Sequence, residues 1–262
     1  MSTPMLTATI EGIGFWAAGL PTWAAAHAFA TGRGGIVDTP PRPASQLLAP
    51  NERRRAPDTV AVSLEVALAA CQDAGRDPAT LPSIFTSTHG DVAITDYMCT
   101  TLASDPLAIS PTKFHNSVHN AAAGYWTIGA GATAAATAIS AHRASFAQGL
   151  LEALSQLAAG EAAVLLAAYD SRSTGPLARV SQSDSLLGAA LVLGAAALPG
   201  KPRLRVRLAD GDAAAGDGAL ARHAAGNAMA PMLVLFDALA AGAAGCTLDA
   251  GGGRCLHVEL QT

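Results

Sequence analysis

Residues 144–170 carry the pattern that most limits what this chain can fold into, because a helical stretch runs there directly into a strand-like one. The stretch ASFAQGLLEALSQLAAG has four leucines at helical spacing and ends in Gly160, and glycine favours the left-handed conformation in which helices stop. AAVLLAAYD follows after one residue and is almost wholly apolar, which is typical of a central parallel strand covered on both faces. Helices that alternate with such strands predict a layered α/β protein.

Similar patterns occur along the rest of the chain. We predict strands at residues 7–15, 83–90, 188–194, 202–210 and 255–261, and helices after Pro21 and at 59–75, 92–104 and 231–242. The helix at 59–75 has Asp58 and Thr59 as candidate caps and Gly75 as its stop, and it places Cys71 in the core. No long Pro- or Gly-rich linker divides the sequence, so we expect a single domain over residues 1–262, in which residues 200–262 complete the sheet.

Composition excludes several classes of protein. Half of the residues are apolar and 14% are charged, which argues against disorder and for a large core. The net charge of −4 gives no reason to expect a nucleic-acid partner. Two uncharged or weakly charged runs, residues 120–141 and 228–245, are too weakly hydrophobic or too polar for a membrane span, and no basic residue precedes Arg33 as a signal peptide would require. The four cysteines lie far apart, which favours reduced thiols in a core and a cytoplasmic protein.

The sequence carries no metal or cofactor motif. His115 and His119 are four residues apart and would share one face of a helix, but the zinc motif HExxH has a glutamate where this chain has Asn116. We therefore interpret both histidines as hydrogen-bonded structural residues and expect no metal and no cofactor. The GxSxG motif of serine hydrolases does not occur, and the glycines of GIGFWAAG and DAGGGRC do not form the GxGxxG pattern of a nucleotide cradle.

The segment FHNSVHNAAAGYWTIG and its continuation through residue 170 resemble the N-terminal half of a β-ketoacyl synthase of the thiolase-like class. The shared residues are Asn120, Ala123, Gly124, Ile128, Gly131 and the turn Gly160-Glu161-Ala162. The later SDSLLGAALVLG resembles a further motif of the family more weakly. This resemblance implies a thiolase-like layered αβα half-fold with a mixed sheet of five or more strands. It also implies a two-fold dimer whose sheets join across the axis, with the segment 110–128 lining the acyl pocket of the partner.

The same resemblance places the nucleophilic cysteine of the family on Arg143, with Ser140 and His142 before it and Ser145 two residues after it. Arginine has no nucleophilic electron pair at accessible pH, so we expect no catalytic residue at this position. The second half of a synthase, which brings two further histidines to the site, does not fit before Thr262. The chain is therefore not expected to condense acyl groups by itself.

Within this class, the sequence is most similar to the short chain-length-factor-like proteins of aryl polyene pathways. That resemblance implies a non-catalytic partner of a full-length β-ketoacyl synthase in a heterodimer, which elongates a polyene, fatty acyl or polyketide chain on an acyl carrier protein. We expect the carrier protein to be involved only indirectly. The residues expected to shape the partner's tunnel, unless they only pack locally, are Lys113, Phe114, His115, Ser117 and Asn120.

Other interpretations remain open at this point. Beside the vacant nucleophile position lie His142, Arg143 and Ser145, and Arg143 either pairs with Asp170 or a backbone carbonyl or is a surface residue. The chain could instead be a divergent acyltransferase or thioester hydrolase that uses Ser140, Ser145 or His142, or a structural homodimer without an acyl ligand. The basic cluster Arg53-Arg54-Arg55 is either a solvated loop or helix start or a docking patch for an acidic carrier protein.

Overall fold

The computed structural model describes residues 5–261; residues 1–4 and 262, which the single-domain prediction includes, lie outside the described part. The α-helices are Trp23–Ala30 (α1), Pro50–Arg55 (α2), Asp58–Ala74 (α3), Val92–Ser104 (α4), Pro111–His115 (α5), Ala121–Ala130 (α6), Ser145–Ala158 (α7), Ala219–His223 (α8) and Leu233–Ala241 (α9). The strands are Leu6–Ala17 (β1), Ser83–Thr86 (β2), Ala136–Ile139 (β3), Ala163–Asp170 (β4), Leu187–Gly194 (β5), Arg203–Asp210 (β6), Gly245–Gly251 (β7) and Arg254–Gln261 (β8).

All these strands belong to one eight-stranded sheet with the order β3-β2-β4-β5-β1-β6-β8-β7. Strands β3, β2 and β4 are parallel to one another, and every other neighbouring pair is antiparallel. The sheet is therefore mixed, as expected. The prediction that β4 is a central parallel strand is correct on one side only. The connection from β4 to β5 holds one short 3₁₀ turn, Pro176–Arg179, and no crossover helix, so β5 runs back antiparallel to β4.

The C-terminal part of the chain extends the sheet, which confirms the prediction for residues 200–262. It supplies β6, β8 and β7, which continue the sheet beyond β1. The glycine-rich stretch DAGGGRC lies where β7 turns into β8, with Gly251, Gly252 and Gly253 all at positive φ. These glycines therefore form a hairpin, because glycine alone adopts such angles without strain.

Helices cover both faces of the sheet, which explains why β4 is buried throughout and is apolar before Asp170. On one face Val164, Leu166 and Ala168 join a core with α7 and α9. On the other face the alternate residues Leu165, Ala167 and Tyr169 join a core with α3 and α6. This three-layer αβα arrangement is the predicted fold class.

Glycines in β1 allow α3 to lie unusually close to the sheet. A Cβ on Gly14 would come within 1.9 Å of the carbonyl oxygen of Val66, and one on Gly12 within 2.2 Å of that of Ala70. A side chain at either position would therefore push helix and strand apart. The glycines of GIGF serve this packing, in agreement with the rejection of a nucleotide cradle.

The start of α3 corrects a sequence prediction. Asp58 is the first residue of the helix, Pro57 precedes it at the N-cap, and neither Asp58 nor Thr59 caps the helix. The Asp58 carboxylate instead receives a bond from Arg42 at 3.2 Å, and the Thr59 hydroxyl donates to Asp91 Oδ2 at 3.1 Å. Gly75 ends the helix at φ 64°, as predicted.

Three further predictions need correction. The strand predicted at 83–90 ends at Thr86, because the backbone after it turns to bind a buried carboxylate. Strands β3 and β7 were not predicted, since their short sequences lack a clear alternating pattern. Cys71 is buried, and burial raises the pKa of its thiol to about 12, but Cys99 is exposed on α4 and does not belong to a core.

Candidate functional site

The carboxylate of Asp170 organises the edge of the sheet at which β2 and β4 end. This side chain is 3% exposed and accepts hydrogen bonds from the Ser87 hydroxyl (2.6 Å) and the Thr88 backbone N–H (3.1 Å). Burial raises the pKa of Asp170 to about 6, although the bonds from Ser87 and Thr88 act in the opposite direction. The Ser87 hydroxyl also accepts from the N–H of Gly90 at 2.9 Å. One buried carboxylate thus fixes the loop of residues 87–91.

The turn before α7 contains the residues that flank the predicted nucleophile position. A short 3₁₀ turn, His142–Ala144, leads into the helix, and His142 has φ 53°. Ser145 is fully buried; its hydroxyl donates to the carbonyl of His142 at 2.7 Å and accepts from the N–H of Ala141 at 2.9 Å. The Ser140 hydroxyl donates to the Thr88 carbonyl at 2.7 Å. Both serine hydroxyls are therefore hydrogen-bonded to backbone carbonyls. Within the described chain, neither is bonded to a basic side chain that would activate it.

Arg143 is exposed and lines two open cavities, of about 350 Å³ and about 340 Å³. The expected pairing with Asp170 is wrong, because that carboxylate is buried and already bound by Ser87 and Thr88. Within residues 5–261, Arg143 forms neither an ion pair nor a hydrogen bond to a backbone carbonyl. It is thus a surface residue just before α7, which is the alternative that the sequence left open.

The residues predicted to face a partner lie on α5 and the turn after it. Phe114 is 63% exposed, and Lys113 holds its ammonium 5.1 Å from the centre of the Tyr97 ring. The His115 ring meets the edge of Tyr125, with 6.0 Å between the ring centres. The two other predicted residues are less constrained or locally bonded: Asn120 is exposed, and the Ser117 hydroxyl donates to the carbonyl of Phe114 at 2.8 Å.

These side chains belong to a longer exposed apolar region, residues 102–128, which we call the exposed segment. Its large apolar residues with at least half of their surface exposed are Leu102, Leu107, Phe114, Val118 and Ile128. Beside this segment lies β3, the strand at the edge of the sheet, and its four residues are exposed or half-buried. An edge strand beside exposed apolar side chains is a typical protein–protein contact surface.

The loop of residues 87–91 connects the two groups of predicted residues. A ring nitrogen of His119 lies 2.9 Å from the carbonyl oxygen of Ser87, and Ser140 binds the carbonyl of Thr88. His89 lies near both groups: burial, followed by the charges of His142 and His119, lowers its pKa. Thr88 and His89 were missed by sequence reasoning, since only the fold brings them beside residues 50 positions later in the chain.

The two histidines His115 and His119 do not share a helix face, because α5 ends at His115 and His119 follows in a turn. Within the part of the chain that the structure describes, no group of three or more His, Cys, Asp or Glu side chains could hold a metal ion. None of the described helices is long and apolar enough to cross a membrane.

The basic cluster of residues 53–55 is helical and partly engaged with its own surroundings. Arg53 donates to the carbonyl of Leu48 at 3.0 Å, and Arg54 binds the side chain of Asn51. Arg55 lines an open cavity of about 270 Å³ together with Lys113. Two separately predicted features, the basic cluster and the start of the exposed segment, are therefore neighbours.

Comparisons with solved structures show the same fold in several ketosynthase assemblies. A chain from a ketosynthase (ApeO) in complex with its chain length factor (ApeC) from Xenorhabdus doucetiae is 23% identical, with a TM-score of 0.76, covering 97% of this chain and 99% of that one. A chain of the ishigamide ketosynthase/chain length factor is 14% identical, with a TM-score of 0.70, covering 97% of this chain and 99% of that one. A chain from a type II polyketide synthase acyl carrier protein in complex with its ketosynthase is 15% identical, with a TM-score of 0.59, covering 73% of this chain and 64% of that one.

No curated protein sequence matches the chain. A family model does: the one for the N-terminal domain of β-ketoacyl synthases matches residues 23–252, which is most of the sequence. The resemblance read from the residues between 110 and 170 is thus confirmed over a much longer stretch. The chain belongs to the β-ketoacyl synthase N-terminal domain family.

Proposed function

We propose that this chain is a non-catalytic, chain-length-factor-like partner of a full-length β-ketoacyl synthase, with which it forms a heterodimer. The observation that carries the proposal is the exposed segment beside the open edge of the sheet. Two structural neighbours that match almost the whole of both chains come from assemblies of a ketosynthase and a chain length factor, which supports this assignment.

The edge of the sheet supplies the first part of the proposed interface. Strand β3 pairs with β2 on one side, and its other side offers unpaired backbone N–H and C=O groups. A strand from the synthase can bind there, which would join the two sheets into one. The side chains of Ala136 and its neighbours in β3 are small, so a second backbone can approach closely.

The exposed segment supplies the apolar part of the interface. Leu107 is 96% and Ile128 75% exposed, and burying such side chains against a partner yields roughly 25 cal/mol for each Å² of apolar surface. We propose that Phe114 and Lys113 reach the acyl tunnel of the synthase, with His115, Ser117 and Asn120 supporting them. A rigid aromatic ring at that position would limit the length of the growing chain.

The turn at residues 140–145 supports the non-catalytic role. Arg143 stands where the resemblance places the cysteine of the family, and the hydroxyls of Ser140 and Ser145 are bonded to backbone carbonyls. The elongated chain would be a polyene, fatty acyl or polyketide chain on a carrier protein that docks mainly on the synthase. All four cysteines are free thiols, which fits the reducing cytoplasm that we propose as the location of the complex.

The test is reconstitution of the chain with its ketosynthase. Size exclusion with mass determination should give a one-to-one complex, and the synthase should elongate acyl chains only or mainly in that complex. Phe114→Ala should shift the products to longer chains, and Phe114→Trp to shorter ones, because the volume of the side chain sets the depth of the tunnel.

The matched control is Ile36→Ala, since Ile36 is as exposed as Phe114 but lies in the loop between α1 and α2, outside the exposed segment. This variant should leave the product lengths unchanged. A chain that stays alone and turns over acyl thioesters unaided, with activity lost in Ser145→Ala, would instead establish the enzyme alternative.

A further inference from the structure

A second feature of the molecule concerns the cavity of about 350 Å³ in front of the turn at residues 142–144. Its walls come from three places: the loop of residues 87–91, the loop between β4 and β5, and the stretch after α8. Thr88, His142, Arg143, Arg179, Gln182 and Asn227 are the polar side chains used below. The cavity is thus assembled from residues that are far apart in the sequence.

The charge of this cavity is one-sided. Two guanidinium groups, those of Arg143 and Arg179, and one imidazole line it, and the lining residues include no aspartate or glutamate in the part of the chain that the structure describes. Neither arginine forms an ion pair within residues 5–261. Two free guanidinium groups around one cavity favour a ligand with planar or tetrahedral oxygens and two negative charges.

Thr88, which lines the cavity, has a hydroxyl that is not used within the described part of the chain. Thr88 is 4% exposed, and its hydroxyl is buried without any hydrogen-bond partner. Its backbone N–H is used by Asp170 and its carbonyl by Ser140, so only the hydroxyl is left over. Buried hydroxyls are nearly always bonded. This one has almost no accessible surface, so a ligand oxygen reaches it only when the Thr88 side chain turns towards the cavity.

We propose that this cavity binds a small oxyanion with two negative charges, held by Arg143 and Arg179 and by a hydrogen bond from the Thr88 hydroxyl. The ligand class is a phosphate monoester or a dicarboxylate. Gln182 and the buried Asn227 provide neutral polar contacts around it. The site does not depend on the proposed role in chain length, and it gives Arg143 a function of its own.

Two carboxylates lie close to residues that line the cavity. Their negative charge weakens the binding of an anion, but neither side chain occupies the cavity. Asp170 lies behind Thr88 and is bound by the Thr88 N–H. Asp184 lies against Gly226, where an added Cβ would come within 1.9 Å of its Oδ2. Both arginines line the cavity itself, whereas neither of these two aspartates does.

Titration calorimetry on the purified chain tests the proposal, with inorganic phosphate and malonate as probes at neutral pH and constant ionic strength. We expect at least one of them to bind saturably with a Kd of about 1 mM or below. Arg143→Gln and Arg179→Gln should each weaken that binding about tenfold, and Thr88→Val about threefold. A preference for phosphate identifies a phosphate ester as the natural ligand, and a preference for malonate a dicarboxylate.

The control is Arg207→Gln, because Arg207 is an exposed arginine on β6, outside the cavity. It should change the Kd by less than about twofold, since a surface charge at a distance is screened. Failure of both probes to saturate by about 10 mM would overturn the proposal. So would equal weakening by Arg207→Gln and Arg143→Gln. Loss of complex formation with the synthase, by contrast, would affect only the proposed function.

Discussion

The loop of residues 87–91 and the exposed segment touch each other through His119 and Ser87, yet they are held in opposite ways. The loop is buried and bonded from several sides: Asp170 accepts from Ser87 and Thr88, and Ser140 binds the Thr88 carbonyl. In the exposed segment the hydrogen bonds of Phe114 and Ser117 are local, and five large apolar side chains have at least half of their surface exposed.

This contrast indicates which part of the chain changes on association. The loop and the turn at 140–145 are held together without any partner, because Asp170, Ser140 and Ser145 bond them within the chain. The exposed segment presents apolar surface that a globular protein normally covers. A rigid support next to a surface that another chain can cover is what the proposed role as a partner subunit requires.

The largest effect on the loop of residues 87–91 should come from removing the carboxylate that fixes it. Asp170→Ala leaves the Ser87 hydroxyl and the Thr88 N–H buried without an acceptor, so we expect the free energy of unfolding to fall by about 3 kcal/mol. Urea denaturation measures it. Asp212→Ala, at an exposed loop position, is the control and should stay within about 0.5 kcal/mol of the wild type. Equal stability of the two variants would mean that the loop does not depend on Asp170.

The sequence predicted the framework of the fold better than it predicted this site. The apolar run 162–170 and the helix before it were recognisable, because burial on both faces and helical spacing leave local patterns. The bond between Asp170 and Ser87 spans 83 residues and has no local pattern, so the sequence named Asp170 only as one candidate partner of Arg143. Thr88 and Arg179 were missed for the same reason.

The short strand β3 shows a second reason why the sequence did not predict the whole structure. Its residues, ATAI, have a weak preference for strands, and only pairing with β2 makes them one. By contrast, the exposed apolar residues Phe114 and Ile128 could be proposed as surface residues only through the resemblance to ketosynthases. Hydrophobicity alone would have placed them in the core.

An effect of similar size, spread over two pH units, should appear in the pH dependence of stability. The pKa of Asp170 is about 6 in the folded chain, above the value of about 3.9 in an unfolded one. The folded state therefore binds more protons between these values, and its stability falls as the pH rises through that window, by roughly 3 kcal/mol in total. We expect this loss in urea titrations of the wild type at a series of pH values.

Asp170→Asn is the matched variant, because its neutral amide cannot titrate. The pKa values of Glu65 and His89 are also shifted by burial. Their contributions to the pH dependence are the same in both proteins, so they cancel in the difference in stability between wild type and Asp170→Asn. That difference should shift in favour of the variant as the pH rises from 4 towards 6. A difference independent of pH would show that Asp170 titrates normally and is less buried than the structure indicates.

The smallest effect on the isolated chain should come from the exposed segment. Ile128 is three-quarters exposed on α6, so Ile128→Ser should change the free energy of unfolding by less than about 0.5 kcal/mol. Trp126 in the same helix is fully buried against Phe85, with 6.1 Å between the ring centres, and Trp126→Ala should cost about 3–5 kcal/mol.

In the presence of the ketosynthase, Ile128→Ser should weaken association, because only the complex buries this side chain. If Ile128→Ser destabilised the chain alone, and did so more strongly at higher protein concentration, a homodimer would already cover the segment. The third interpretation, a structural homodimer, would then replace the heterodimer.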